Sequence, residues 1–270
     1  MIDVVMWTKN GEKTLPLCLE GVEKALGNKI HRRIAVDGHS KDRTVQILKE
    51  YKWEVYQNPD PLGGIPTGAN EALRRVDCKY FVSVEQDVIL CPNFWQEVFP
   101  LLEDEKTVVA SGIRIPDKPK ALRKIYEYTF ERYMSDPQKW VRSALLGFSL
   151  DNTIYKTEAI RMLGGFPDPG VSGGVPGLLA KKVFSSGYLW RVNPSAVSIH
   201  VRENAKDEIK HWYFYGRCFK ALGGSLTKIL VIAILSPLRA SIIAWKKRTL
   251  GALWVYPAMR WAMVLGALSD

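Results

Sequence analysis

The chain has 270 residues, is 47% hydrophobic and 24% charged, and carries a formal net charge of +10 at pH 7. That size and apolar content suit one large buried core and argue against two comparable domains, so one main domain over 1–220 with an appendage over 221–270 is expected. The four cysteines, Cys18, Cys78, Cys91 and Cys218, lack paired metal-ligand spacing and read as free thiols of a reducing compartment, not as a disulfide framework. No charged and apolar leader precedes the first strand-like run, so the main domain is expected to stay in the cytoplasm.

In chain order, strand-like runs at 2–7, 32–37, 53–57, 79–84 and 107–114 alternate with helical patterns at 13–26, 42–51, 67–75 and 93–102. Such alternation predicts an α/β fold with a mostly parallel sheet covered by helices. Open sheets of this kind bind ligands beyond the carboxyl ends of their strands, where Thr8, Asp37 and Asp87 would lie. Further on, 118–133 reads as an amphipathic helix, 145–155 as a strand and 157–163 as a helix, dividing the domain into halves at about residue 115. There is no internal repeat and no low-complexity tract.

Two of these strand ends carry chemistry. The run Ile34-Ala35-Val36 stops in a loop with Asp37, Ser40, Asp42 and Thr44, carboxylates and hydroxyls suited to a base and ribose. About forty residues on, a second run ends in Glu85-Gln86-Asp87, which is similar to an Asp-x-Asp metal clamp. A diphosphate leaving group needs its charge neutralised, and a divalent cation held by carboxylates, Mn²⁺ or Mg²⁺, does this. Plainer roles compete. Ser40, Asp42 and Thr44 can cap the following helix, and Glu85-Gln86-Asp87 can be a solvated strand end.

Taken in order, these motifs resemble the family 2, GT-A fold glycosyltransferases over roughly residues 1–220. The N-terminal run with Thr8, Asn10 and Glu12 looks like that family's first strand and its Thr-x-Asn-x-Glu loop, at nucleotide-contacting positions. The segment from Gly63 to Ala72, with Asn70, is similar to one that lies beside the diphosphate, and Gly164-Gly165-Phe166 matches an acceptor-side signature. The resemblance implies a Rossmann-like GT-A sheet, with 1–115 as the nucleotide half and 116–220 as the acceptor half. It further implies that Thr8, Asn10, Glu12, Asp37, Ser40, Asn70, Glu85 and Gln86 bind the nucleotide sugar, while Asp87 and His200 hold the metal. His31, His39 and His211 receive no role, and Trp212 to Tyr215 reads as packing.

One departure stands out. Counting back from Gly187, which resembles the glycine closing the helix after the family's Glu-Asp catalytic pair, Val175 and Pro176 occupy the expected positions of that pair. Three readings stay open: Asp168 serves as base, the acceptor needs none, or the chain is inactive. A hydroxyl acceptor must lose a proton as it attacks, whereas a lipid phosphate is already ionised and needs cations, for which Arg114, Arg202 and Arg217 are available.

The basic excess sits at the end. From Ile209 onward there are nine Lys or Arg against one acid, net +8 of the chain's +10, together with the apolar stretches 226–245 and 250–268. Trp245, Trp254 and Trp261 in those stretches suit a lipid interface better than nucleic acid, for which no binding motif is present. Pro237 with Arg239 and Pro257 with Arg260 interrupt the stretches, and a spanning hairpin would export Lys246-Lys247-Arg248. Helices lying in the plane of an anionic membrane surface are therefore expected. The reading as a whole is a membrane-associated, inverting, metal-assisted glycosyltransferase acting on a lipid-linked or polysaccharide acceptor, with a non-catalytic nucleotide-sugar or membrane-binding relative as the alternative. A sugar-phosphate nucleotidyltransferase fits less well, because no Gly-x-Gly-Thr-Arg loop follows the first strand.

Overall fold

The computed structural model describes residues 1–62, 64–134, 149–171 and 173–269; of the strand expected over 145–155, positions 145–148 lie outside them. Strand β1 (Ile2–Thr8) is buried along its whole length, as a central strand covered on both faces must be. Its residues divide with period two: Ile2, Val4 and Met6 enter one apolar cluster and Val5 and Trp7 the other. The first cluster is closed by α1 (Leu15–Leu26) and α4 (Phe94–Val98), through Leu15, Leu19, Val22, Phe94 and Val98. The second is closed by α3 (Ile65–Arg75), α6 (Thr157–Met162) and α7 (Val175–Ser185).

Parallel pairing joins β3 (Glu54–Gln57), β2 (Ile30–Asp37), β1 and β4 (Tyr80–Val84), with α2 (Thr44–Glu50) following β2. Beyond β4 the sheet turns antiparallel: β7 (Thr153–Lys156) runs against both β4 and β6 (Thr107–Pro116). The short β5 (Val88–Ile89) runs against the end of β8 (Leu189–His200). The full order is β3-β2-β1-β4-β7-β6-β8-β5. The expected α/β sheet is thus present, with its parallel half built from the first part of the chain.

The chain forms two compact units. The first holds the sheet; the second gathers α5 (Lys120–Met134) and the chain from Val201 on. This second unit contains α8 (Ala205–Ala221), α9 (Leu226–Ile234), α10 (Ser236–Lys247) and α11 (Ala252–Leu268). The boundary expected at 220 therefore falls at the end of α8, inside the second unit. The reason is packing: α8 lies against α11 so closely that a Cβ on Gly216 would overlap the Met263 carbonyl and one on Gly266 the Tyr213 carbonyl. Around that contact Ile229, Ala233, Met263, Val264 and Ala267 form one small core, and Ile125, Ala240, Ile243, Ala252 and Tyr256 another. No single described helix is long and apolar enough to cross a membrane; α9 and α10 pass that test only together, bent by 50° between them.

Candidate active site

Strand register sets the first part of the site. Thr8 pairs with Asp37 and Met6 with Val84, so β1, β2 and β4 end together and their loops open at one edge. Asp37 is fully buried there, and its carboxylate accepts the Ser40 N–H at 2.9 Å, the Ser40 hydroxyl at 2.5 Å and the Gln57 amide at 3.3 Å. Asn10 takes a left-handed conformation (φ 51°), which Asn tolerates better than most residues. Its N–H reaches Ser40 Oγ at 2.8 Å and its Oδ1 accepts the Lys41 N–H at 2.9 Å, stitching the two loops together. Glu12 adds a second stitch, donating its N–H to Asp42 Oδ2 at 3.1 Å and accepting the Arg43 N–H at 3.0 Å.

Some polar groups here have structural work. Asp42 accepts the Thr44 N–H at 3.0 Å and the Thr44 hydroxyl; despite a cost of burial, these bonds hold its carboxyl below the usual range. Gln86 binds the Thr8 hydroxyl, the Lys9 N–H at 2.9 Å and the Lys9 carbonyl at 3.0 Å, clamping the loop after β4 onto the loop after β1. Its amide thus fixes the floor of the site.

The charged part follows from the antiparallel half. Val88 pairs with His200, which brings His200 Nε2 to 3.1 Å from Asp87 Oδ2. The register Ser83 to Thr153, carried two residues further, sets Glu85 opposite Asp151, and Arg114 from β6 lies between them. Arg114 Nη1 donates to Glu85 Oε2 at 3.1 Å and to Asp151 Oδ2. Asp151 is fully buried, and its Oδ1 has no hydrogen-bond partner. Burial above all, then the Asp151 charge and more weakly that of Asp87, push the Glu85 carboxyl up to about 8 against the pull of Arg114. Burial raises Asp151 as well; Arg114 pulls against it, and the like charge of Asp87 adds to the rise. Glu85 and Asp151 share one guanidinium.

An imidazole, clustered carboxylates and an orphaned buried oxygen form a donor set that fits a divalent cation, with Asp87 and His200 as the residues to hold it. Elsewhere, Asp3, His31 and Cys78 form the one group of three among the described residues whose ligand atoms all lie within 4.8 Å of one another. It cannot serve the same ligand, since Asp3 lies near the start of β1 and Thr8 closes it, roughly 17 Å away at strand rise. Asp3 is also engaged, accepting the Asp77 and Cys78 N–H groups at 2.7 and 3.0 Å and meeting His31 at 3.0 Å.

On the acceptor side, Gly164 and Gly165 both have positive φ, 77° and 74°, and turn the chain after α6. Asn70 bonds both the N–H and the carbonyl of Phe166 at 2.8 Å, so it straps α3 to this turn; a Cβ on Gly165 would overlap its Oδ1. Phe166, expected to meet the acceptor, is 2% exposed and packs its ring against Trp7, Phe81 and Tyr155. It is a core residue, and Gly164 is the exposed part of the turn. Asp168 lies exposed just beyond. Val175 is fully buried in the second apolar cluster, and Gly187 (φ 79°) closes α7 as expected. Of the three arginines considered for an acceptor phosphate, Arg114 is held by carboxylates and Arg202 pairs with the buried Glu208 at 3.2 Å, while Arg217 is exposed.

Sequence reading missed Asp151. A lone Asp before the short run Thr153-Ile154-Tyr155 carries no signal of its own, and its partners come from two other strands.

The fold has solved counterparts. A mannosyltransferase from Pyrobaculum calidifontis, solved with GDP-Man and Mn²⁺, superposes with a TM-score of 0.59 at 18% identity over 100% of this chain and 75% of that one. Glucosyl-3-phosphoglycerate synthase from Mycobacterium tuberculosis, solved with Mn²⁺, UDP and glucosyl-3-phosphoglycerate, gives 0.58 at 18% identity over 82% and 78%. S. aureus TarS 1–349 with UDP-GlcNAc gives 0.55 at 15% identity over 80% of this chain, and the match spans 65% of that fragment. At such identities the likeness establishes a GT-A fold. No curated protein matches the chain in sequence. The family described as Glycosyl transferase family 2 matches residues 3–164, more than half of the chain, so with this sheet and this edge the chain belongs to glycosyl transferase family 2.

Proposed function

We propose that this protein transfers a hexosyl group from a nucleotide-diphosphate sugar to a lipid-linked or polysaccharide acceptor at the cytoplasmic face of a membrane, by inverting in-line displacement. The observation that carries the reading is the convergence of Thr8, Asp37, Glu85, Asp87 and His200 on one edge of the sheet. Asp37, with Ser40 and Asn10 around it, suits the base and ribose. Asp87 and His200 suit a cation, and an imidazole ligand favours Mn²⁺ over Mg²⁺. When bound, the cation would offset the charge that develops on the departing diphosphate.

The attacking group is less constrained. With Val175 in the core where the family's carboxylate pair is expected, Asp168 is the residue nearest in sequence able to take a proton from a hydroxyl acceptor, whereas an ionised phosphate acceptor would need none. The same buried Val175 favours a second reading, a binding relative without transferase activity. Incubation with GDP- and UDP-hexoses and Mn²⁺, with and without polyprenyl phosphate, tests both. Release of nucleoside diphosphate stimulated by the acceptor supports the enzyme, and binding without turnover supports the alternative.

A further inference from the structure

Helix α10 carries Arg239, and one face of α11 carries Tyr256 and Arg260 four residues apart. The Arg260 guanidinium carbon lies 4.1 Å from the centre of the Trp212 ring and 4.6 Å from that of Tyr256; that of Arg239 lies 5.8 Å from the same Tyr256 ring. Two cations thus gather at one buried aromatic side chain. Both Nε atoms are shut off from water without a hydrogen-bond partner, and among the described residues no carboxylate pairs with either arginine. The chain from Ile209 to Ser269 contains no acid that could compensate them.

Stacking satisfies only the faces of a guanidinium. Its N–H groups point outward in the plane, where they match the oxygens of a phosphate in a bidentate way. Two half-buried cations, each with a buried Nε lacking a hydrogen-bond partner, are costly to keep together, and the stacking offsets that cost only in part. An anion supplied from outside would offset the rest. Around them the surface is apolar: Leu238 and Ile242 on the helix of Arg239, and Leu253, Trp254 and Trp261 on the helix of Arg260, are all exposed. A soluble phosphate would gain nothing from those side chains, whereas acyl or prenyl chains would cover them.

We propose that Arg239 and Arg260, held on Tyr256 and Trp212, form a binding site for the phosphate of a lipid, with preference for a phosphomonoester over a phosphodiester. Two guanidinium groups match the nearly double charge of a monoester near neutral pH better than the single charge of a diester. The site deepens the membrane-associated reading above and rests on the C-terminal helices meeting lipid.

The test compares full-length protein on phosphatidylcholine vesicles doped with phosphatidic acid or with phosphatidylglycerol at equal surface charge. Wild type is expected to prefer phosphatidic acid by about tenfold, the scale of one or two charge-assisted hydrogen bonds. The pair Arg239→Gln and Arg260→Gln should bring that ratio to about one while binding to phosphatidylglycerol persists. Neutralising Lys246, Lys247 and Arg248 should weaken both vesicle types alike and keep the ratio. A wild-type ratio near one, or an unchanged ratio in the double variant, overturns the site. Should the Gln pair fail to fold by circular dichroism, the single variants Arg239→Gln and Arg260→Gln each remove one of the two charges and should lower the ratio, and an unchanged ratio in both overturns the site equally. Monomeric dioctanoyl phosphatidic acid, titrated without vesicles, separates the two claims. Arginine-dependent binding of it by a protein that ignores vesicles leaves the site standing and refutes the membrane reading. Equal competition by inorganic phosphate shows a free-phosphate site and refutes the lipid.

Discussion

Asp87 stands partly exposed at the end of the site's third strand, 3.1 Å from His200, where the loss of one charge removes a ligand without opening a cavity. Asp87→Asn is therefore expected to abolish Mn²⁺-dependent binding of a nucleoside diphosphate, read by calorimetry, and to leave the thermal midpoint nearly unchanged. Arg114 behaves in the opposite way. It is the cation between Glu85 and the fully buried Asp151, so Arg114→Met would leave facing carboxylates unpaired. Urea unfolding should show a loss of about 3 kcal/mol, the lower end for breaking a buried pair, and Mn²⁺ should restore part of it if the cation sits among those carboxylates. Metal-independent stability in that variant would place the cation elsewhere. The strand-end acids Asp37 and Asp87 were readable because each follows an apolar run that can only be a buried strand. Asp151 was not, because its meaning comes from a register shared by β4, β7 and β6 over separations of 37 to 66 residues.

At the scale of elements, the parallel half of the sheet was legible, whereas in the antiparallel half the strand β6 was legible but its pairing was not. Alternating apolar runs and helical patterns specify β1 to β4 and the helices between them, since each crossover is local in sequence. The insertion of β7 between β4 and β6 is a long-range choice with no local mark. The same holds for Asn70, whose place in the chain suggested the diphosphate but whose amide straps Phe166, 96 residues away. Asn70→Ala is expected to cost about 1–3 kcal/mol through two lost hydrogen bonds to buried backbone groups. It should also loosen the Gly164-Gly165 turn, raising hydrogen exchange at Gly165 and Phe166. Gly165→Ala tests the strap from the other side. A methyl group in a left-handed conformation, against Asn70 Oδ1, should destabilise by about 1–3 kcal/mol. Were the effects of Asn70→Ala and Gly165→Ala to add fully in the double variant, the two residues would not be acting as one device.

For the whole molecule, the C-terminal helices are better described as part of a second unit than as a detachable tail. The sequence showed their basic charge and apolar runs, but not that α11 packs on α8 through Gly216 and Gly266, because close backbone approach depends on which helix becomes the neighbour. Truncation before Ser225 should accordingly expose Trp212 and Phe219 and unravel α8, seen as lost helicity and dye binding, while the sheet unit remains folded. Truncation before Val201 would remove the unit's main helices and should give the cleaner sheet fragment, although one still carrying α5. The proposed membrane attachment would then rest on side chains that the unit leaves outward, Trp245 at 79% and Trp254 at 80% exposure among them, with Lys246 and Arg248 nearby. Charge and apolar insertion separate with salt: neutralising Lys246, Lys247 and Arg248 should weaken binding to anionic vesicles at low salt and matter little at high salt, as screening acts over roughly 8 Å at physiological ionic strength. Replacing Ile232 and Leu235, both exposed, by Ser should weaken it at every salt concentration. Helices lying in the interface predict release by carbonate washing. Retention through that wash, with the segment at Lys246 labelled from the far side of the bilayer, would instead establish that the bent pair α9 and α10 crosses it.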